Sequence, residues 1–457
     1  RQRVWGVPIT VFIDKRNGQP LQDDAVNQRI LAAIEQDGCD AWFAQDPAVF
    51  LGPDHDPDNF EKVDDILDVW FDSGSTHAFV LEARDDLQWP ADLYLEGSDQ
   101  HRGWFHSSLL VSSGTRGRAP YNAVLTHGFT MDQNGEKMSK SRGNGVDPQD
   151  VIDQYGADIL RLWSVSMDYF NDHRIGPKIL KSVADSYRRL RNTIRFMLGS
   201  LDGYTDAEAL DVADMPELER YMLHRLHEMD AAVRNAANQY DFHRLFVEVF
   251  NFCNAELSNF YFDIRKDTLY CDAASSVERR ACRTVIDRLF RSVVGWLAPI
   301  LCFTAEEAWL SRFPGEDESV HLTNFPDIPD AWTNVALAEK WNDLKSIRRV
   351  ATGALEIERR EKRIGSSLQA APVVYLDEKY RDALTGVDLG ELFITSGATV
   401  EFANGPAGAF RLDDVDGVAV VPSPAQGHKC ARCWMVLPEV KDEESICNRC
   451  ESVLAVA

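Results

Sequence analysis

The sequence predicts an α/β segment followed by an all-α helical bundle, a small α/β module and a short cysteine-rich tail. Three observations carry that order. Short apolar runs at Leu93-Tyr94-Leu95 and Ala123-Val124-Leu125 each lead into a glycine-containing turn, with a helical pattern from Gln100 to Ser112 between them. From about Ile179 the texture changes to long amphipathic stripes. Residues 426–457 hold four cysteines in two close pairs.

Strand, turn, helix and strand make up an α/β unit, whose ligands lie at the carboxyl ends of the strands. In the helical part, Phe242, Phe246, Val249, Phe250, Cys253, Leu257, Phe260 and Ile264 keep one face. A second stripe runs through Cys282, Val285, Ile286, Leu289, Phe290, Val293 and Leu297 and stops at Pro299. Thr304 with Glu307 reads as a capping box opening the next helix. Such stripes in succession imply a bundle, and their aromatic residues read as core.

After the Pro- and Asp-rich stretch Phe325 to Asp330, another helix runs to about Arg363. Val373-Val374-Tyr375-Leu376 and Leu392-Phe393-Ile394-Thr395 read as strands of a small α/β module. Pro422, Pro424 and Gly427 mark a linker. The expected boundaries are therefore 1–176, 177–330, 331–425 and 426–457.

At 457 residues the chain has room for about three domains. Hydrophobic content of 44% and charged content of 26% are those of an ordinary globular protein, and no apolar run reaches membrane-spanning length. The opening Arg1-Gln2-Arg3 carries no Met and no leader, so no signal peptide is expected and the chain reads as a fragment. A net charge of −25 argues against a protein that coats nucleic acid indiscriminately, but leaves room for local basic patches. One candidate is Tyr187 to Arg195, a helix with Arg188, Arg191 and Arg195 on one face and Tyr187, Leu190 and Ile194 on another. A solvated basic face is the competing reading. Cys39, Cys253, Cys271, Cys282 and Cys302 are scattered and read as reduced thiols of a cytoplasmic protein.

The strongest local signal is Lys137-Met138-Ser139-Lys140-Ser141, introduced by Asn134-Gly135 and followed by Arg142-Gly143-Asn144. Two lysines on a loop of small polar residues can reach phosphate oxygens and still move. Alone they would pass for a solvated turn. The whole pentapeptide, however, resembles the signature loop of class I aminoacyl-tRNA synthetases, and chance would supply it roughly once in ten thousand such chains. Glu96-Gly97-Ser98-Asp99-Gln100-His101-Arg102-Gly103-Trp104 leaves a strand and opens a helix, where it should border a ligand crevice. These segments and Leu67-Asp68-Val69-Trp70-Phe71-Asp72-Ser73-Gly74 occur in the order seen in isoleucyl-tRNA synthetases. Arg1 to Pro8, Gly156 to Trp163, Gly295 to Pro299 and Gly365 to Leu368 also resemble that family, so the likeness covers nearly the whole chain. Its other signature, His-x-Gly-His, is absent from the eleven histidines here, as is the editing insertion.

The resemblance implies the second half of a Rossmann-type catalytic domain, then an anticodon-binding bundle, a junction module and a tRNA-binding tail. It implies ATP-dependent attachment of L-isoleucine to tRNA(Ile) through an aminoacyl-adenylate, with Mg²⁺ accompanying ATP. Lys140 and Lys137 would be the catalytic phosphate contacts, Glu96, Gly97, Asp99 and Gln100 would hold the adenylate, and Trp70 and Trp104 would wall the amino-acid pocket. Without the His-x-Gly-His half, the chain is expected to be an inactive, non-editing monomer. A valyl or other class I relative, or a non-catalytic tRNA-binding protein, are the alternatives.

The tail carries its own chemistry. Cys430-Ala431-Arg432-Cys433 and Cys447-Asn448-Arg449-Cys450 are two C-x-x-C knuckles able to close a tetrahedron of thiolates around one structural Zn²⁺. Two disulfides, or a redox pair, are the competing readings. So small a tail has too little core to fold without a staple.

Overall fold

Asp23 accepts the backbone N–H groups of Ala25 and Val26 at 2.8 and 3.2 Å, a side-chain cap that opens helix α1 (Asp24–Asp37). This is a computed structural model, and it describes residues 6–139 and 141–456. Arg1 to Trp5 and Lys140 lie outside the described residues. The chain forms two units. One runs to Met131 and takes back Tyr169–His173; the other comprises Asp132–Asp168 and everything from Arg174 onward.

In the first unit, β1 (Phe12–Asp14) pairs antiparallel with β2 (Phe60–Lys62). Phe12, Val26, Ile30, Trp42, Phe50, Leu51 and Phe60 form the core beside that pair. Helix α2 (Val69–Gly74), strand β3 (Ala91–Gly97), helix α3 (Trp104–Arg116) and strand β4 (Tyr121–His127) follow. The two strands pair in parallel from Ala91 opposite Tyr121 to Gly97 opposite His127, which is the strand–helix–strand pattern read from the sequence. The helix begins at Trp104 rather than Gln100. Ser98–Arg102 is a tighter 3₁₀ turn, and Gly103, at ψ −116°, breaks it from α3.

The second unit holds α4 (Pro148–Tyr155), α5 (Ala157–Ser166), α6 (Pro177–Ser200), α7 (Glu217–Asn238) and α8 (Phe242–Asn251). A π-helical stretch, Phe252–Tyr261, carries α8 into α9 (Phe262–Cys271). Then come α10 (Val277–Leu297), α11 (Cys302–Arg312) and α12 (Val335–Arg360). The apolar stripes face one core, in which Leu257, Val285, Ile286, Leu289, Phe290 and Trp296 are fully buried. Cys253 and Cys282 lie in it, their thiols pushed up to about 12 by burial.

Two local expectations are corrected. Thr304 and Glu307 do not form a capping box. Helix α11 starts two residues before Thr304, and the buried Asp158 of α5 caps it, accepting from Phe303 N–H at 3.3 Å, Thr304 N–H at 2.8 Å and the Thr304 hydroxyl at 2.6 Å. Leu392-Phe393-Ile394-Thr395 is not a strand. Asp388 accepts the N–H groups of Gly390 and Glu391 and opens α13 (Leu389–Phe393), which Ile394 ends at φ 59°. A short apolar run cannot by itself distinguish a buried strand from a buried helical turn. The segment from Pro422, expected as a linker, is tied to the module: Ala371 N–H donates to Ser423 O and Ala425 N–H to Gln369 O, both at 2.8 Å.

The module's sheet centres on β5 (Val373–Leu376), parallel to β6 (Thr399–Glu401) and antiparallel to β7 (Val418–Val421). The tail adds a hairpin of β8 (His428–Lys429) with β9 (Val436–Leu437), then α14 (Asn448–Val456). Among the described residues no helix is long and apolar enough to cross a membrane.

Candidate functional sites

The parallel pairing of β3 with β4 brings Glu96, Gly97 and His127 to the carboxyl ends of the strands. Glu96 Oε1 accepts the N–H of Gly97 at 2.9 Å and lies 3.9 Å from His127 Nε2. A Cβ at Gly97 would come within 2.7 Å of Asp99 Oδ1, so the bare backbone is what lets the Asp99 carboxylate fold back there. Gln100 donates to Asp99 Oδ2 at 3.3 Å and accepts the N–H of Trp104 at 2.9 Å, which caps the first turn of α3.

Trp70 and Trp104 are brought together around Gly103. The Trp70 ring would be 2.9 Å from any Cβ at Gly103, and it is 45% exposed. Trp104 is fixed more firmly. It stacks on Tyr94 at 4.2 Å with 7° between the planes, and its indole N–H donates to Ser73 O at 3.0 Å. Gly74 permits the close approach of α2 to α3, since a Cβ there would sit 3.0 Å from the Ser107 carbonyl carbon.

The lysine-bearing loop belongs to the second unit and is organised by Asp132 and Asn144. Asp132, nearly buried, accepts from the Asn144 side chain at 3.0 Å and from the N–H groups of Glu136 and Asn134 at 2.9 Å. The Asn144 amide, with these backbone donors, holds its carboxyl below the usual carboxylate range. Asn144 Oδ1 also takes the N–H of Ser139 at 3.0 Å, and its Nδ2 lies 3.4 Å from Lys137 O. The loop is thus tied at its base while Lys137 is exposed. The only advance signal was an aspartate and an asparagine flanking the motif.

In the tail, Cys430, Cys433, Cys447 and Cys450 are all buried, and their sulfurs lie within 4.8 Å of one another. None is in a disulfide, and Cys433 Sγ and Cys447 Sγ are 3.8 Å apart. A tetrahedron of sulfurs at ~2.3 Å from zinc has edges of about 3.8 Å, whereas a disulfide needs about 2.05 Å. Burial opposes ionisation of Cys430, yet backbone N–H groups of Cys433, Cys447 and Arg432 directed at its sulfur bring it down to about 6. Among the described residues this is the one cluster suited to a metal ion, and a soft four-thiolate donor set fits Zn²⁺.

Each knuckle also places an arginine on the end of α9. Arg432 donates to Cys271 O at 2.6 Å, and Arg449 pairs with Asp267 and with Asp272. The tail is therefore docked on the helical bundle.

Residues 1–176 match the family described as tRNA synthetases class I (I, L, M and V). Residues 219–375 match the anticodon-binding domain of tRNA ligase, and residues 427–453 the zinc finger found in FPG and IleRS. The isoleucine–tRNA ligase of Brucella abortus biovar 1 (strain 9-941) is 58% identical over 442 residues, covering 96% of this chain and 45% of that protein. That of Ruegeria pomeroyi is 54% identical over 467 residues, covering 99% and 48%. The chain thus spans about half the length of the curated relatives it matches. The crystal structure of the ternary complex of Agrobacterium radiobacter K84 agnB2 LeuRS-tRNA-LeuAMS is similar at a TM-score of 0.56 and 18% identity, over 73% of this chain and 42% of that one.

Proposed function

The chain belongs to the class I tRNA synthetases, and from that membership we propose that it serves ATP-dependent attachment of L-isoleucine to tRNA(Ile). The observation that carries the reading is 58% identity to isoleucine–tRNA ligase across 96% of the chain. It favours isoleucine over valine and an enzyme's part over a pure RNA binder.

In this reading residues 1–176 are catalytic, 177–330 bind the anticodon region, 331–425 join the parts and 426–457 form a zinc-stapled tail. The amino-acid carboxylate attacks the α-phosphorus of ATP, brought as its Mg²⁺ complex, and pyrophosphate leaves. The terminal ribose hydroxyl of the tRNA then attacks the carbonyl of the resulting adenylate, taking the aminoacyl group as the acyl–phosphate bond breaks and AMP leaves. No protein nucleophile is needed, so the protein's contribution is positioning and charge stabilisation. Glu96, Gly97, Asp99 and Gln100 hold the adenylate and the substrate ammonium. Trp70 and Trp104 wall the side-chain pocket, where the Tyr94 stack keeps Trp104 from turning. Lys140, with Lys137, meets the departing phosphates, and the Asp132–Asn144 tie limits how far the loop's base can move.

Cys430, Cys433, Cys447 and Cys450 hold a structural Zn²⁺. Exposed Lys181, Arg188, Arg191 and Arg195 on α6 give the tRNA a basic stripe. The protein works as a cytoplasmic monomer. In a whole synthetase containing this sequence, Lys140→Ala is expected to slow isoleucine-dependent pyrophosphate exchange about a hundredfold or more, with isoleucine affinity little changed. An exchange rate close to that of the unaltered enzyme would remove Lys140 from its role.

A further inference from the structure

We propose that the C-terminal end of α12 is a docking site for an RNA phosphodiester backbone, with Arg360 and Lys362 as its phosphate contacts. The proposal rests on the reading of this chain as a tRNA-binding protein.

The helix closes by a pair of backbone bonds, Lys362 N–H to Arg359 O at 3.0 Å and Arg363 N–H to Glu358 O at 2.9 Å. This is the paired closure that requires a left-handed residue, and that residue is Lys362, at φ 59°. Glycine is favoured at such a position because any L side chain meets steric cost there. Lys362 is also exposed, so no packing compensates. A residue that works against local stability without burying anything points to a use for its side chain outside the fold.

The charges around it are unevenly spent. Arg363 grips Glu358 with two bonds, at 2.5 and 2.6 Å, and also reaches Glu361; Arg359 pairs with Glu356 at 3.2 Å. The segment's acids are therefore engaged by Arg359 and Arg363. Among the described residues no carboxylate pairs with Arg360 or Lys362, although the chain as a whole carries a net charge of −25. Both line a surface hollow of about 440 Å³, together with Glu356, Arg359, Ile364 and Gly365. Glu356 also borders a neighbouring groove of about 600 Å³ that contains Arg349. The 440 Å³ hollow has no aromatic side chain on which a base could stack. Its chemistry therefore suits the sugar–phosphate backbone, a contact that positions RNA without reading its sequence.

The test uses this chain, a tRNA(Ile) transcript and an unrelated tRNA, with binding followed by fluorescence anisotropy across a salt series. Arg360→Ala and Lys362→Gly are each expected to weaken both tRNAs about fivefold or more at 0.1 M salt. The log–log salt slope should become shallower by about 0.7–0.9 for each lost contact. Lys362→Gly should leave the Tm unchanged or raise it, so its loss of binding could not come from misfolding. Unchanged affinity and slope in both variants, with the parent chain still binding tRNA, would overturn this site while leaving the tRNA reading standing. A parent chain that binds neither tRNA at low salt would overturn both. Inorganic phosphate that binds the parent but neither variant, while tRNA affinity is the same in all three, would assign the hollow to free phosphate and overturn the RNA assignment.

Discussion

Arg265 is 4% exposed and would be costly to bury alone. Its Nε and Nη2 donate to the fully buried Glu219 at 2.7 and 2.6 Å, Nη1 reaches Glu391, and Tyr261 adds a hydroxyl to Glu219 at 3.1 Å. Glu219→Ala strands that guanidinium and is expected to cost about 3–5 kcal/mol, read by denaturant unfolding. Glu391→Ala, at the wetter end of the network, should cost clearly less; equal losses would mean that Arg265 is not anchored by Glu219. The same reasoning applies to the thiolates. Cys447→Ser leaves three sulfurs, and elemental analysis should fall from one zinc per chain to near zero. A zinc content that does not change rules out the assignment. The four-cysteine cluster was legible because a knuckle's geometry is written in its spacing. Asp132, Asn144 and Arg265 were not, because their partners are chosen by the fold: Asn144 meets Asp132 across a loop, and Arg265 meets Glu219 on another helix.

At the scale of elements, periodicity exposed the long helices, since a repeated apolar face needs only one sequence to be seen. It failed where an element is short or its cap is distant. Asp158 caps α11 from far away in sequence, so no local box could announce it. Asp158→Ala is expected to destabilise the second unit by about 1–3 kcal/mol, measured as a fall in Tm, because two N–H groups and a hydroxyl lose their acceptor. A Tm unchanged within error would show that water replaces the cap at no cost. The tail's prolines suggested a linker, and backbone bonds tie Ser423 and Ala425 of that linker to the module, while Arg432 and Arg449 clasp the end of α9. Zinc loss should therefore reach beyond the tail, raising amide exchange at the α9 C-terminus; exchange unchanged there would mean that the docking survives without metal.

For the whole molecule, long helices, small sheets and a four-cysteine cluster were legible, and the family models match residues 1–176, 219–375 and 427–453. Asp132–Asp168 falls with the helical unit, because Val151, Ile159, Leu162 and Trp163 bury themselves in its core. Periodicity says that a face is apolar and not what covers it. These 457 residues contain no His-x-Gly-His, so the chain by itself is expected to show no isoleucine-dependent pyrophosphate exchange. Exchange by the purified chain, free of host enzyme, would mean that the ATP site is complete within it. The most direct test of the central claim compares isoleucine with valine in a whole synthetase that contains this sequence. Isoleucine should be activated with a kcat/KM about a hundredfold higher than that of valine and be carried onto tRNA(Ile), one methylene being worth roughly that much. Preferential activation of valine, or no isoleucyl-tRNA formed, would contradict it.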